Sequence, residues 1–66
     1  MADQVMRKRD GEEVVIQSNM SEEDAFILFK KLLAANRQTW EQSGPVIVGE
    51  HEVKEGDIYY IKEIKK

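Results

Sequence analysis

One stretch of this chain, Ser21 to about Trp40, carries a sustained helical period, and it leaves a β-rich segment on either side. Ser21 stands where an N-cap is needed, and Asp24, three places on, occupies the capping-box position. Glu22, Glu23 and Asp24 fill the first turn and Lys30, Lys31 and Arg37 follow, an order that complements the helix macrodipole. Ala25, Leu28, Phe29, Leu32 and Leu33 recur at helical spacing, with Phe26 and Trp40 on one flank and Ala35 on the other. A stripe this broad must lie on something apolar. Ile27 points away from it. Asn36 projects into its middle, as a left-handed cap that ends the helix or as a hydrogen-bonded core residue. Gly44-Pro45 is a firm stop.

Before the helix, Gln4 to Arg9 and Glu12 to Ser18 flank Asp10-Gly11, a pair suited to a two-residue loop with positive φ at both positions. That loop sets Arg9 opposite Glu12, Lys8 opposite Glu13, Met6 opposite Val15 and Val5 opposite Ile16. The two pairs beside the turn have opposite charge, which favours this register by a few tenths of a kcal/mol each, on the order of 0.2–1. After the helix, Val46-Ile47-Val48 is a β-branched run, and Gly49 suggests a bulge or bend. Lys54-Glu55-Gly56 reads as a hairpin loop leading to a last strand from Asp57 to Ile64.

The order hairpin, helix, hairpin predicts an α+β fold, ββαββ, with one four-stranded antiparallel or mixed sheet and the helix packed on one face. A right-handed crossover would lay the first and last strands parallel in the middle, a β-grasp-like arrangement by element order alone. Residues 1–66 read as a single small domain.

A core this small supplies roughly 3–5 kcal/mol, so domains of this size often lean on a partner or a staple. There is no Cys, hence no disulfide and no thiolate metal site, and the cytoplasm is the expected compartment. No segment has the roughly 18 apolar residues of a membrane helix, and no membrane association is expected. Charged residues make up 35% of the chain and the net charge is -3, a balance that disfavours nucleic acid.

The residues that could carry chemistry do not converge. On a strand, Glu50 and Glu52 share one face and His51 takes the other, so the three cannot meet on a metal without a bulge. Glu22-Glu23-Asp24 is explained by its place at a helix start. Asp10 to Glu13 lacks the spacing of a calcium loop. No serine or threonine has a base nearby in sequence. The expectation is therefore no enzyme, no metal, no cofactor and no small-molecule substrate. A rival reading is a nucleic-acid-binding regulator that uses Arg7-Lys8-Arg9 and the C-terminal lysines Lys62, Lys65 and Lys66, with Tyr59 or Tyr60 stacking on bases. Against it, Glu12 and Glu13 neutralise the first basic run and Glu63 interrupts the second.

A sheet with one helix on it should alternate apolar and polar residues. Here both faces of the strand segments carry apolar residues. Met6 and Val15 face away from Val5, Val14 and Ile16; Ile47 faces away from Val46 and Val48; Tyr59 and Ile61 face away from Ile58, Tyr60 and Ile64. Surplus apolar surface of this kind marks interfaces. The sequence thus predicts a small protein-interaction module, a homodimer or the binder of another protein, whose open sheet face presents Met6, Val15, Ile47, Tyr59 and Ile61.

Overall fold

The computed structural model describes residues 2–64. Its elements are β1 (Ala2–Arg9), β2 (Glu12–Met20), α1 (Glu22–Gln42), β3 (Val46–Val48), β4 (His51–Val53) and β5 (Ile58–Ile64). The chain is α+β with one helix and antiparallel sheets, but the strands divide: β2-β1-β5 form one sheet, and β3-β4 form a separate two-stranded sheet. The single four-stranded sheet is thus corrected. So is the parallel pairing of first and last strands, since β1 and β5 run antiparallel. The cause is local. Arg9 at the end of β1 grips Asp57 just before β5, so β5 starts where β1 finishes and must run back along it.

The first hairpin forms at Asp10 (φ 52°) and Gly11 (φ 83°), the two left-handed residues its loop requires. Arg9, Lys8 and Met6 face Glu12, Glu13 and Val15 as expected, but Val5 faces Gln17 instead of Ile16. A register shift between Val5 and Met6 admits the extra residue, and a second shift sets Met20 opposite Asp3. Asn19 (φ 55°) lies within this irregular end of β2. The shifts let Ile16 and Met20 both reach the core while Ser18 stays exposed.

The helix runs through Asn36 and ends only at Ser43, which takes the left-handed C-cap conformation (φ 54°). The Ser21 hydroxyl accepts from the Asp24 amide at 3.1 Å, so the N-cap stands where the sequence puts it. Of the bulge or bend expected at Gly49 (φ 60°), the chain takes the bend, which makes the turn between β3 and β4 with Val48 paired to His51 across it. Lys54 to Gly56 is a turn rather than a hairpin loop, because β4 and β5 belong to different sheets; it closes with Asp57 N–H donating to the Lys54 carbonyl at 3.2 Å. Gly56 (φ 91°) fills its left-handed position.

One core joins these parts. Val5, Met20, Ala25, Leu32, Ala35, Val53 and Tyr59 form its buried centre, with Ile16, Leu28, Phe29, Val46, Val48 and Ile61 packed around them. The helix therefore covers one face of the β2-β1-β5 sheet, and the short β3-β4 hairpin adds its apolar side to the same core. The tip of that hairpin approaches β2, where Gln17, Leu28, Val48 and His51 line a shallow groove.

Candidate interaction surface

Among the described residues, the most connected polar cluster surrounds Asp57. Its carboxylate accepts from Arg9 Nε at 2.7 Å, Arg9 Nη2 at 2.6 Å, the Lys54 amide at 3.0 Å and the Tyr59 hydroxyl at 3.3 Å. Asn36 donates to the Lys54 and Asp57 carbonyls at 3.3 and 3.2 Å, and Thr39 donates to the Asn36 carbonyl at 2.6 Å. Burial pushes the Asp57 carboxyl up, but the Arg9 contact and the Lys54 and Tyr59 hydrogen bonds outweigh it and hold the group below its ordinary value. Burial, reinforced by the Asp57 charge, pushes the Tyr59 phenol up to about 12. Three of these bonds fall on Oδ2 and one on Oδ1. The cluster is a clasp that ties β1, the β4–β5 turn and the helix together. Asn36, which interrupts the apolar stripe, is the helix's share of it.

The same geometry disperses the basic run. Arg9 is bound to Asp57. Arg7 faces Val14 and Tyr59 across the sheet, and its Nε is buried without a hydrogen-bond partner among the described residues. Lys8 is exposed on the opposite face. Of the C-terminal lysines, Lys62 is exposed, and Lys65 and Lys66 lie outside the described residues. Glu50 sits in the β3–β4 turn, His51 is half-buried and Glu52 pairs with Lys54 at 3.5 Å. Among the described residues no three of His, Cys, Asp and Glu gather as metal ligands, and no helix is long and apolar enough to cross a membrane.

The face of the β2-β1-β5 sheet turned away from the helix can be read row by row. Val15, Met6 and Tyr60 form one row, Glu13, Lys8 and Ile58 the next, and Gln4 with Lys62 a third. Val15 and Met6 therefore stand on the open face together. Val15 is 46% exposed, whereas Met6 is only 6% exposed. Two hydrogen bonds flank it: the Tyr60 hydroxyl reaches across β1 to Glu13 at 2.5 Å, and the Gln4 side-chain amide donates to the Met6 sulfur at 3.3 Å. The bond to Glu13 also raises the Tyr60 pKa. Tyr59 and Ile61 lie on the helix-covered side, in and against the core, which corrects their assignment to the open face. Ile58, 58% exposed, and Tyr60 take their places. Ile47 is exposed but stands on the other sheet, opposite Glu52, and so does not join Val15.

A second apolar surface lies on the helix. Phe26, Leu33 and Trp40 follow one another at seven-residue intervals, and all are exposed. Phe26 overhangs a groove of ≈ 500 Å³ that it shares with Asp3, Glu22, Ile61 and Glu63. Leu33 borders a second groove with Lys30 and Arg37, and the Lys30 ammonium lies 5.4 Å from the Phe26 ring centroid. Leu28 and Lys31, on the other flank, face the β3-β4 tip, so Phe26, Leu33 and Trp40 mark the flank toward β5. The seven-residue interval is visible in the sequence, where Phe26 and Trp40 read as a flank of the helical stripe. Comparisons of the chain with protein-family models, with curated proteins and with solved structures each found no match.

Proposed function

We propose that this chain is a non-catalytic protein-interaction module that binds through the open face of its three-stranded sheet. The observation that carries this reading is the row of Val15, Met6 and Tyr60, with exposed Ile58 in the next row on the far strand, on a face that no described element covers. Full burial of a valine or isoleucine is worth roughly 1.5–3 kcal/mol, and these two are half exposed, so covering them supplies about 1 kcal/mol each. Glu13, Lys8 and Lys62 surround them with charges of both signs, the polar rim that interfaces carry. Among the described residues, the Tyr60 to Glu13 hydrogen bond on this face joins two of the protein's own side chains. Reading it as a nucleic-acid surface has less support, because Arg7 and Arg9 are turned from it.

A photoreactive amino acid placed at Val15 in the native host tests the proposal. One discrete protein adduct is expected, and it should disappear when Ile58→Lys is added. No adduct from this position, or an adduct indifferent to Ile58→Lys, would overturn the reading.

A further inference from the structure

We infer that two copies of this chain pair through the free edge of β5, antiparallel, with the Phe26–Leu33–Trp40 flank of each helix facing the other. The inference rests on the interaction reading above and names one partner of the module as a second copy.

The two edges of the larger sheet differ. β2 is broken by two register shifts and carries a left-handed Asn19, the kind of irregularity that blunts an edge. β5 pairs with β1 from Ile58 to Ile64 without a shift, so its other side offers a regular row of backbone donors and acceptors. Such a row calls for another strand.

The sequence of β5 fits itself. A twofold axis at Ile61 sets Tyr60 opposite Lys62, Tyr59 opposite Glu63 and Ile58 opposite Ile64, so all seven residues of the strand are used and no like charges meet. An axis at Lys62 would place two lysines opposite each other, which is unfavourable.

The helix flank supplies the second complementarity. The helix runs opposite to β5: Glu22 and Phe26 share a groove with Ile61 and Glu63, while Asn36 bonds to the Asp57 carbonyl. Along the flank, Asp3, Glu22 and Glu63 gather at the groove under Phe26, while Lys30, whose ammonium lies over the Phe26 ring, and Arg37 border Leu33, with Glu41 beyond them. A twofold axis on β5 runs the two flanks in opposite directions, which turns the acidic groove of each toward Lys30 and Arg37 of the other. This is the self-complementarity an isologous interface requires. The resulting six-stranded sheet would leave both open faces on one side, still free for the proposed contact.

Sedimentation equilibrium of the full chain across a wide concentration range tests this. The parent should approach twice its monomer mass. Leu33→Glu should weaken association at least about tenfold, a change of about 1.4 kcal/mol, while circular dichroism shows the monomer still folded. Val15→Lys should leave the dimer intact. The double variants Lys30→Glu/Arg37→Glu and Glu22→Lys/Glu63→Lys should each associate poorly alone, and should form a heterodimer when mixed. A parent that stays monomeric overturns the inference, and the Val15 adduct then judges the interaction reading separately. A dimer dissolved by Val15→Lys but not by Leu33→Glu overturns it in favour of the open face. Complementary double variants that fold but fail to associate on mixing overturn it as well.

Discussion

Asp57→Ala is expected to remove most of the chain's stability at neutral pH. The Asp57 side chain is 1% exposed and that of Arg9 26%. Removing the carboxylate strips Arg9 of two hydrogen bonds and leaves the Tyr59 hydroxyl and the Lys54 amide without their partner. Removing one member of a buried ion pair costs about 3–5 kcal/mol. Arg9 can partly rehydrate, which lowers the figure to about 2–4 kcal/mol. The whole stability of a core this size is roughly 3–5 kcal/mol. Urea denaturation followed by circular dichroism measures the loss; Trp40, 64% exposed, is a poor reporter of unfolding. The pH dependence has two signed limbs. Asp57 is held below its ordinary value when folded, so its contribution is complete above the unfolded pKa of about 3.9 and is lost as pH falls through the folded value. Tyr59 is raised to about 12, so its contribution is complete below the unfolded pKa of about 10 and is lost as pH rises from there through the folded value. Tyr59→Phe should reduce the alkaline limb, leaving the share of Tyr60, whose pKa is also raised, and keep the acid one.

Leu32→Ala should cost about 2–5 kcal/mol, since the residue is fully buried and the cavity cannot be filled from outside. Its neighbour supplies the control. Leu33 is 45% exposed on the β5 flank, and Leu33→Ala should change monomer stability by less than about 1 kcal/mol. Thermal melting of both variants at one dilute concentration checks the contrast. Similar losses at the two positions would show that the helix is rotated from the orientation described.

What the sequence revealed were the features decided within a few residues. Asp10-Gly11 announces its turn because both positions need positive φ, and Ser21 announces its cap because a hydroxyl must meet a free amide. The strand pairing was not legible, because it depends on Arg9 meeting Asp57 across 48 positions of sequence. No local pattern encodes that contact, and it is what turns β5 antiparallel to β1. Gly49 and Gly56 both carry positive φ, but only the tertiary arrangement decides that Gly49 makes the hairpin and Gly56 the crossing between sheets. The facing of the surface residues is legible only in part for the same reason. Val15 stands on the open face as its alternation says, whereas Tyr59 and Ile61 are turned inward by the start that Asp57 imposes on β5. Phe26 and Trp40 were visible as a flank of the helical stripe, and only the placement of β5 beside them gives that flank a neighbour.

Radical footprinting of the chain addresses the open face directly. The labelling rates of Val15 and Ile58 would be compared for dilute purified chain in buffer and for the same chain in extract of its native host. An interaction module that binds through this face should lose reactivity at Val15 and Ile58 in the extract, while exposed Ile27, on the far side of the helix, keeps its rate. Equal rates at all three residues in buffer and in extract would contradict the proposal.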